Sequence, residues 1–189
     1  MGVVLAIKDM DKVLELLRWY EARSDRNALL FRLGINTALR IGDLLKIQYQ
    51  DIFNKQGEFK EYLQLNETKT GKERKVKLNN QIRPYIQRYC DFYRMRGEDY
   101  LFFSIEDPTQ HMHRITAWRA LKQGAEACNI EHFGTHTLRK TAGYHIYHKS
   151  GNDIALVMTL LNHSSPKETL IYIGASQQEV DDALMEFGI

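Results

Sequence analysis

The chain is 189 residues long, 43% hydrophobic and 26% charged, with a formal net charge of +2, which fits one globular domain able to bury its own core. No run of 18 apolar residues occurs, so no stretch reads as a membrane-spanning helix. The apolar opening 1–7 lacks a basic flank and meets Lys8 and Asp9 at once, which argues against a secretory signal and makes the cytoplasm the expected compartment.

Apolar residues Val13, Leu14, Leu17 and Tyr20 recur at helical spacing across 9–23, and Ser24 or Asp25 can cap a second helix running through Leu29, Leu30 and Leu33. Both are scaffold. In the next segment Arg40 lies among residues that should be buried, and a permanently charged guanidinium there needs a partner. Asp43, three residues on, is the plain candidate; an anion held at the mouth of a site, with Asp43 fixing the fork, is the functional one.

Tyr62-Leu63-Gln64-Leu65 and Lys75-Val76-Lys77-Leu78 alternate as strands, with Thr70-Gly71 as the turn of a β-hairpin. Residues 66–77 carry five cationic side chains against two acidic ones, whereas the segment after Ser176 is acidic. The small net charge therefore hides a locally basic surface, a pattern that permits nucleic-acid binding. Lysines at such a hairpin also serve simply to blunt an exposed edge.

Asn79 or Asn80 should cap a helix with Pro84 in its first turns and Ile82, Tyr85, Ile86, Tyr89 and Phe92 facing inward, ending at Gly97. A short buried segment 100–104 and a helix over about 115–128 follow. Cys90 and Cys128 both fall in helical stretches and read as small buried side chains. A helix over 136–149 buries Leu138, Ala142 and Ile146, and one over 153–161 turns Ile154, Leu156 or Val157, and Leu160 inward and delivers His163.

Chemistry-bearing groups concentrate in residues 136–172: the imidazoles of His136 and His163, the guanidinium of Arg139, the ammonium of Lys140 and the phenol of Tyr172. Groups of these kinds bind and cut a phosphodiester without a metal; the bland reading is ordinary polar faces of two helices. His136 and Arg139, three apart, should share a face, and Gly143 should leave that face uncluttered. His132-x3-His136 and His145-x2-His148 have usable metal spacing but no carboxylate or cysteine partner, so no metal is expected.

These residues resemble the tyrosine recombinases, the phage or lambda-type integrases. Thr37-Ala38-Leu39-Arg40-Ile41-Gly42-Asp43-Leu44-Leu45 is similar to the first arginine box of that family, Lys69-Thr70-Gly71 to the site of its hairpin lysine, His136-Thr137-Leu138-Arg139 to its His-x-x-Arg box, and Leu161-Asn162-His163-Ser164-Ser165-Pro166 to its Leu-Gly-His-Ser-Ser-Pro stretch. Lys140 stands where the family often has a second histidine, and Asn162 where it has glycine.

The resemblance implies a mostly helical α+β domain with a small antiparallel hairpin, spanning 1–189, with a tail helix at about 177–187. The family's usual enzymes carry a core-binding domain ahead of the catalytic one; none is read here, and the expectation is a short natural recombinase or a catalytic domain separated from a longer protein. The resemblance also implies a site-specific recombinase that forms a covalent 3′-phosphotyrosine through Tyr172, needs no cofactor or metal, and acts on double-stranded DNA attachment sites as a homotetramer, with room for accessory DNA-bending proteins. Arg40, Arg139 and His163 would hold the phosphate, His136 would be the general base, and Lys69, with Lys72 as the alternative, the general acid. Lys72, Arg74, Lys75, Lys77 and Lys140 would contact DNA phosphates. A non-cleaving DNA-binding regulator and a type IB topoisomerase-like enzyme are the alternatives. In the tail, residues 176–179 form a capping box and Val180, Leu184 and Phe187 one stripe, suited to docking on its own domain or a neighbour.

Overall fold

The computed structural model describes residues 3–69, 71–175 and Met185; the capping box and apolar stripe expected in the tail, and Thr70, lie outside them. Helix α1 (Met10–Glu21) starts at Asp9, whose side chain accepts from the Asp11 amide, and α2 (Asp25–Thr37) at Ser24, whose hydroxyl accepts from the Asn27 amide, each satisfying an orphan donor of the first turn. Two short helices follow, α3 (Ile41–Leu44) and α4 (Tyr49–Ile52). Strands β1 (Leu63–Asn66) and β2 (Glu73–Val76) pair antiparallel, Leu63 opposite Val76 and Asn66 opposite Glu73. Helices α5 (Arg83–Phe92), α6 (Arg114–Ala127), α7 (Thr137–Lys149), α8 (Ile154–Leu161) and α9 (Pro166–Ile173) complete the described chain. The mostly helical α+β class expected from the sequence is the observed one.

Helix α2 is the axis of the fold, packed on α1, α3, α5, α6 and α7. Its approach to α7 is close because Gly34 faces Leu138: a Cβ at Gly34 would lie 2.5 Å from Leu138 Cδ1. That contact carries the next residue, Arg139, to the end of α2. The main core includes Leu16, Leu30, Phe31, Leu44, Ile86 and Phe102. A smaller cluster of Ala38, Ala142, Val157, Leu161 and Ile173 joins α7, α8 and α9, with Tyr172 packed on its edge.

Several expectations shift at the level of single residues. Leu14 and Phe92 are exposed, and Leu16 and Cys90 take the inward positions; Leu156 is exposed while Val157 is buried. Strand β2 begins two residues earlier than the alternation of 75–78 suggests. Gly143 does not clear a face for chemistry. It admits α8 and α9, since a Cβ there would meet Ile173 Cγ2 at 2.8 Å and Leu161 Cδ1 at 3.2 Å. Gly143→Ala should therefore cost about 1–3 kcal/mol from overpacking, offset by the ~1 kcal/mol that alanine gains in a helix, for a net loss of up to about 2 kcal/mol. Thermal unfolding checks this, and a raised Tm would refute it.

Candidate active site

Two helix ends converge where α7 begins. Helix α2 terminates at Ala38 with left-handed φ of 50°, and α8 at Asn162 with φ of 51°. Both leave carbonyls without intrahelical partners, at the negative ends of their helix dipoles. Arg139, only 2% exposed, answers both: Nη1 donates to the Ala38 carbonyl at 2.6 Å and Nη2 to that of Leu161. Burial lowers its pKa to about 10, which leaves the guanidinium charged at neutral pH. Arg139 is thus a structural strut as well as a charge, rather than sharing an open face with His136.

Helix α9 was not foreseen, although Ser165-Pro166 with Glu168 spells its start: the Ser165 hydroxyl accepts from the Glu168 amide and Pro166 occupies the first turn. This helix carries Tyr172 to the mouth of α7. Its hydroxyl lies 3.0 Å from His136 Nδ1, its ring meets the His163 ring edge-on at 5.0 Å between centroids, and Lys140 Nζ sits 5.1 Å from its centre. Burial raises the Tyr172 pKa, opposed by Arg139 and more weakly by the charge of Arg40. Partial desolvation, helped by Arg114, Arg139, Lys140 and Arg40, lowers the pKa of His136. Desolvation followed by Arg139 and Arg40 does the same for His163. Both imidazoles are therefore neutral at pH 7, within a field of fixed positive charge.

Hydrogen bonding constrains the His163 tautomer. The Thr169 hydroxyl donates to the Ser165 carbonyl at 2.7 Å, so its oxygen is left to accept from His163 Nδ1, 3.2 Å away. Neutral His163 then offers a lone pair at Nε2, and it becomes a two-sided donor when protonated.

Arg40 caps α3 with an extended backbone. Its partner is not Asp43. Nη1 pairs with Glu67 at 2.5 Å, whereas Asp43 Oδ1 accepts from the Thr68 amide at 2.9 Å and its Oδ2 has no partner among the described residues. Asp43 thus pins the hairpin turn to α3. Glu67, 1% exposed, was not singled out from the sequence. Arg114, which acts on His136 and bonds Thr135 Oγ1 at 3.3 Å, was also missed.

Two of the expected outward cations turn inward. Arg74 is 8% exposed, with Nη1 on Glu67 at 3.1 Å and Nη2 on the Thr37 carbonyl at 2.8 Å; its place in β2 faces the core, so its fork is taken up within the fold. Lys140 donates to the Val4 carbonyl at 2.8 Å, and burial lowers its pKa. Lys69, Lys72, Lys75 and Lys77 are exposed on the hairpin and its continuation. Lys75 lies 3.7 Å from Glu73, and Lys77 3.4 Å from Glu61. Lys69 makes no contact with the Tyr172 cluster among the described residues. Those residues also hold no group of three or more His, Cys, Asp or Glu placed for a metal, and no helix long and apolar enough to cross a membrane.

A phenol against a neutral imidazole, ringed by two guanidiniums and a second imidazole, can deliver an oxygen nucleophile to a bound anion. Residues 5–179 match the model of the phage integrase family. The chain belongs to that family. It is 38% identical over 188 residues to the probable integrase/recombinase YoeC of Bacillus subtilis (strain 168), covering 100% of this chain and 99% of that protein. Among solved structures, the XerA recombinase superposes with a TM-score of 0.75 at 19% identity, covering 100% of this chain and 65% of that one. A lambda integrase tetramer bound to a Holliday junction superposes with a TM-score of 0.69 at 17% identity, covering 91% and 48%. The chain thus spans under two thirds of either solved chain, and these likenesses establish the fold.

Proposed function

We propose that the chain is a site-specific DNA recombinase that breaks and rejoins strands through a covalent bond between Tyr172 and a 3′ phosphate. The observation that carries this reading is the 3.0 Å contact between the Tyr172 hydroxyl and His136 Nδ1, inside the field of Arg40 and Arg139. His136, neutral at pH 7, accepts the phenolic proton as the Tyr172 oxygen attacks phosphorus. The bond from phosphorus to the 5′ oxygen breaks, and Lys69 supplies the proton to that leaving oxygen. Arg40, Arg139 and His163 face the non-bridging oxygens, where negative charge accumulates. Preorganised donors of this kind are worth roughly 3 kcal/mol each. The phosphodiester anion favours protonated His163, which then donates from both nitrogens. Reversal by another strand's 5′ hydroxyl rejoins the DNA with no external energy source or metal.

Lys72, Lys75 and Lys77 lie along the hairpin as phosphate contacts that set register without reading sequence. The active assembly is a homotetramer on double-stranded DNA sites, a reading supported by the lambda integrase tetramer bound to a Holliday junction, and its place is the cytoplasm. Suicide duplexes nicked beside the cleavage point and tiled across the DNA flanking the gene should trap a denaturant-resistant protein–DNA adduct. Binding without any adduct would favour a non-cleaving regulator.

Two further outcomes test the roles. The second-order rate of adduct formation at sub-saturating DNA should peak below pH 6.5, the ordinary imidazole value, falling on the acid side as free His136 gains a proton and on the alkaline side as free His163 loses one, because both titrate lower in the free protein. An acid limb centred above that value would remove His136 as the base. On DNA with a 5′-thio leaving group, which needs little protonation, Lys69→Ala should recover cleavage and Lys72→Ala should not; the reverse pattern would transfer the acid role to Lys72.

A further inference from the structure

Glu67 is a carboxylate with no exposed side-chain surface, placed among guanidiniums at the foot of the lysine hairpin. Its Oε2 receives Arg40 Nη1 at 2.5 Å and Asn162 Nδ2 at 3.2 Å, and its Oε1 receives Arg74 Nη1 at 3.1 Å. Three separate parts of the chain meet there: the N-cap of α3, strand β2, and the left-handed residue just before His163. Buried as it is, Glu67 cannot touch DNA itself, so any part it has in the reaction is exerted through its partners.

We propose that Glu67 is a positioning residue for strand cleavage, which anchors one edge of the Arg40 guanidinium so that the other edge is fixed towards the scissile phosphate. The inference rests on the recombinase reading of the site. Arg40 extends from a short helix on a long, rotatable stem, side chain 19% exposed, and without an anchor its charged head would sample many rotamers. One buried negative charge between Arg40 and Arg74 also keeps the pair from repelling each other, leaving one net positive charge for the phosphate. Asn162 extends the same hub. Its backbone takes the left-handed φ that asparagine tolerates, and its carboxamide ties the His163 turn to the hairpin that carries Lys69. Glu67 thus sets Arg40, His163 and the hairpin in mutual register before DNA arrives, the preorganisation on which electrostatic catalysis depends.

The test compares Glu67→Gln with the unaltered chain on a suicide duplex that traps the latter, in ordinary form and with a methylphosphonate replacing the scissile phosphate. The methyl group removes the oxygen charge that Arg40 serves. On ordinary DNA the variant should form adduct about tenfold or more slowly, in line with a weakened oxyanion contact, while DNA binding stays within about twofold. On methylphosphonate DNA the gap should close. A purely structural lesion would slow both substrates alike, and that result, or equal rates on ordinary DNA, would overturn the role. If Glu67→Gln does not fold, Glu67→Asp keeps the charge beside Arg74 but retracts the carboxylate, and the same two outcomes decide. Failure of the unaltered chain to cleave any duplex would instead overturn the recombinase reading, and the proposal with it.

Discussion

Tyr172→Phe is expected to abolish the covalent protein–DNA adduct while leaving DNA binding and the fold nearly intact. Phenylalanine keeps the ring that meets His163 edge-on and lies beneath Lys140, and it keeps the packing of α9 against the cluster of Val157, Leu161 and Ile173. The hydroxyl is lost with its contacts to His136 Nδ1 and to the Arg139 guanidinium. One such hydrogen bond contributes about 0.5–1.5 kcal/mol to stability, and His136 can take water in its place because it is partly open to solvent. Cleavage loses its nucleophile outright, and none of the residual binding or oxyanion contacts can replace it. Denaturing electrophoresis of suicide-substrate reactions should show no shifted band, beside a retained band shift under native conditions. A covalent band from the variant would remove Tyr172 as the nucleophile. A drop in Tm far beyond the hydrogen-bond range would mean that the hydroxyl holds the fold as well.

What could be read in the chain, and what could not, follows from the range of the forces involved. The helices α1 and α2 were legible because caps and apolar spacing are local, and Asp9 and Ser24 act within three residues of themselves. The burial of Arg74 and Glu67 was also legible in principle. Counting back by twos from Leu78 and Val76 reaches Arg74, and counting forward from Leu63 and Leu65 reaches Glu67, so both fall on the inward face of the hairpin. Charge masked that alternation, because a run of cations reads as a solvated edge.

The partner of Arg40 was less accessible. Asp43 is near in sequence, but α3 turns its carboxylate to the Thr68 amide, and the true partner stands 27 residues away. Long-range pairing of this kind depends on how α2, α3 and the hairpin pack, which no local pattern records. The approach of His136 to Tyr172 belongs to the same category. Ordered motifs brought both residues to attention, but their 3.0 Å contact arises from the packing of α9 on α7 across Gly143, a close approach that a larger residue would block.

Arg139 is where fold and chemistry are least separable, and its substitution should have the largest combined effect. Its guanidinium satisfies the carbonyls of Ala38 and Leu161, the last acceptors of α2 and α8, and its other N–H donors serve the Tyr172 hydroxyl and an incoming anion. Arg139→Lys keeps the charge but cannot fork. At least one buried carbonyl should go unpaired, at about 1–3 kcal/mol, and for a domain of this size each kcal/mol lowers Tm by about 2–4 °C. Cleavage, measured well below both melting temperatures, should fall further, by about 10²–10³ for a lost oxyanion contact. The two losses can be separated. Leu16→Ala opens a cavity in the main core on α1, which packs on α2 and α6, and should cost at least comparable stability, about 2–5 kcal/mol, without touching any group of the site. If Arg139→Lys slows adduct formation no more than Leu16→Ala does at matched loss of Tm, Arg139 serves the fold alone and the phosphate must be held by Arg40 and His163. If it slows cleavage by the further factor expected, the strut that joins α2 to α8 is also the charge that meets the scissile phosphate, and the helix ends it caps determine where that charge stands.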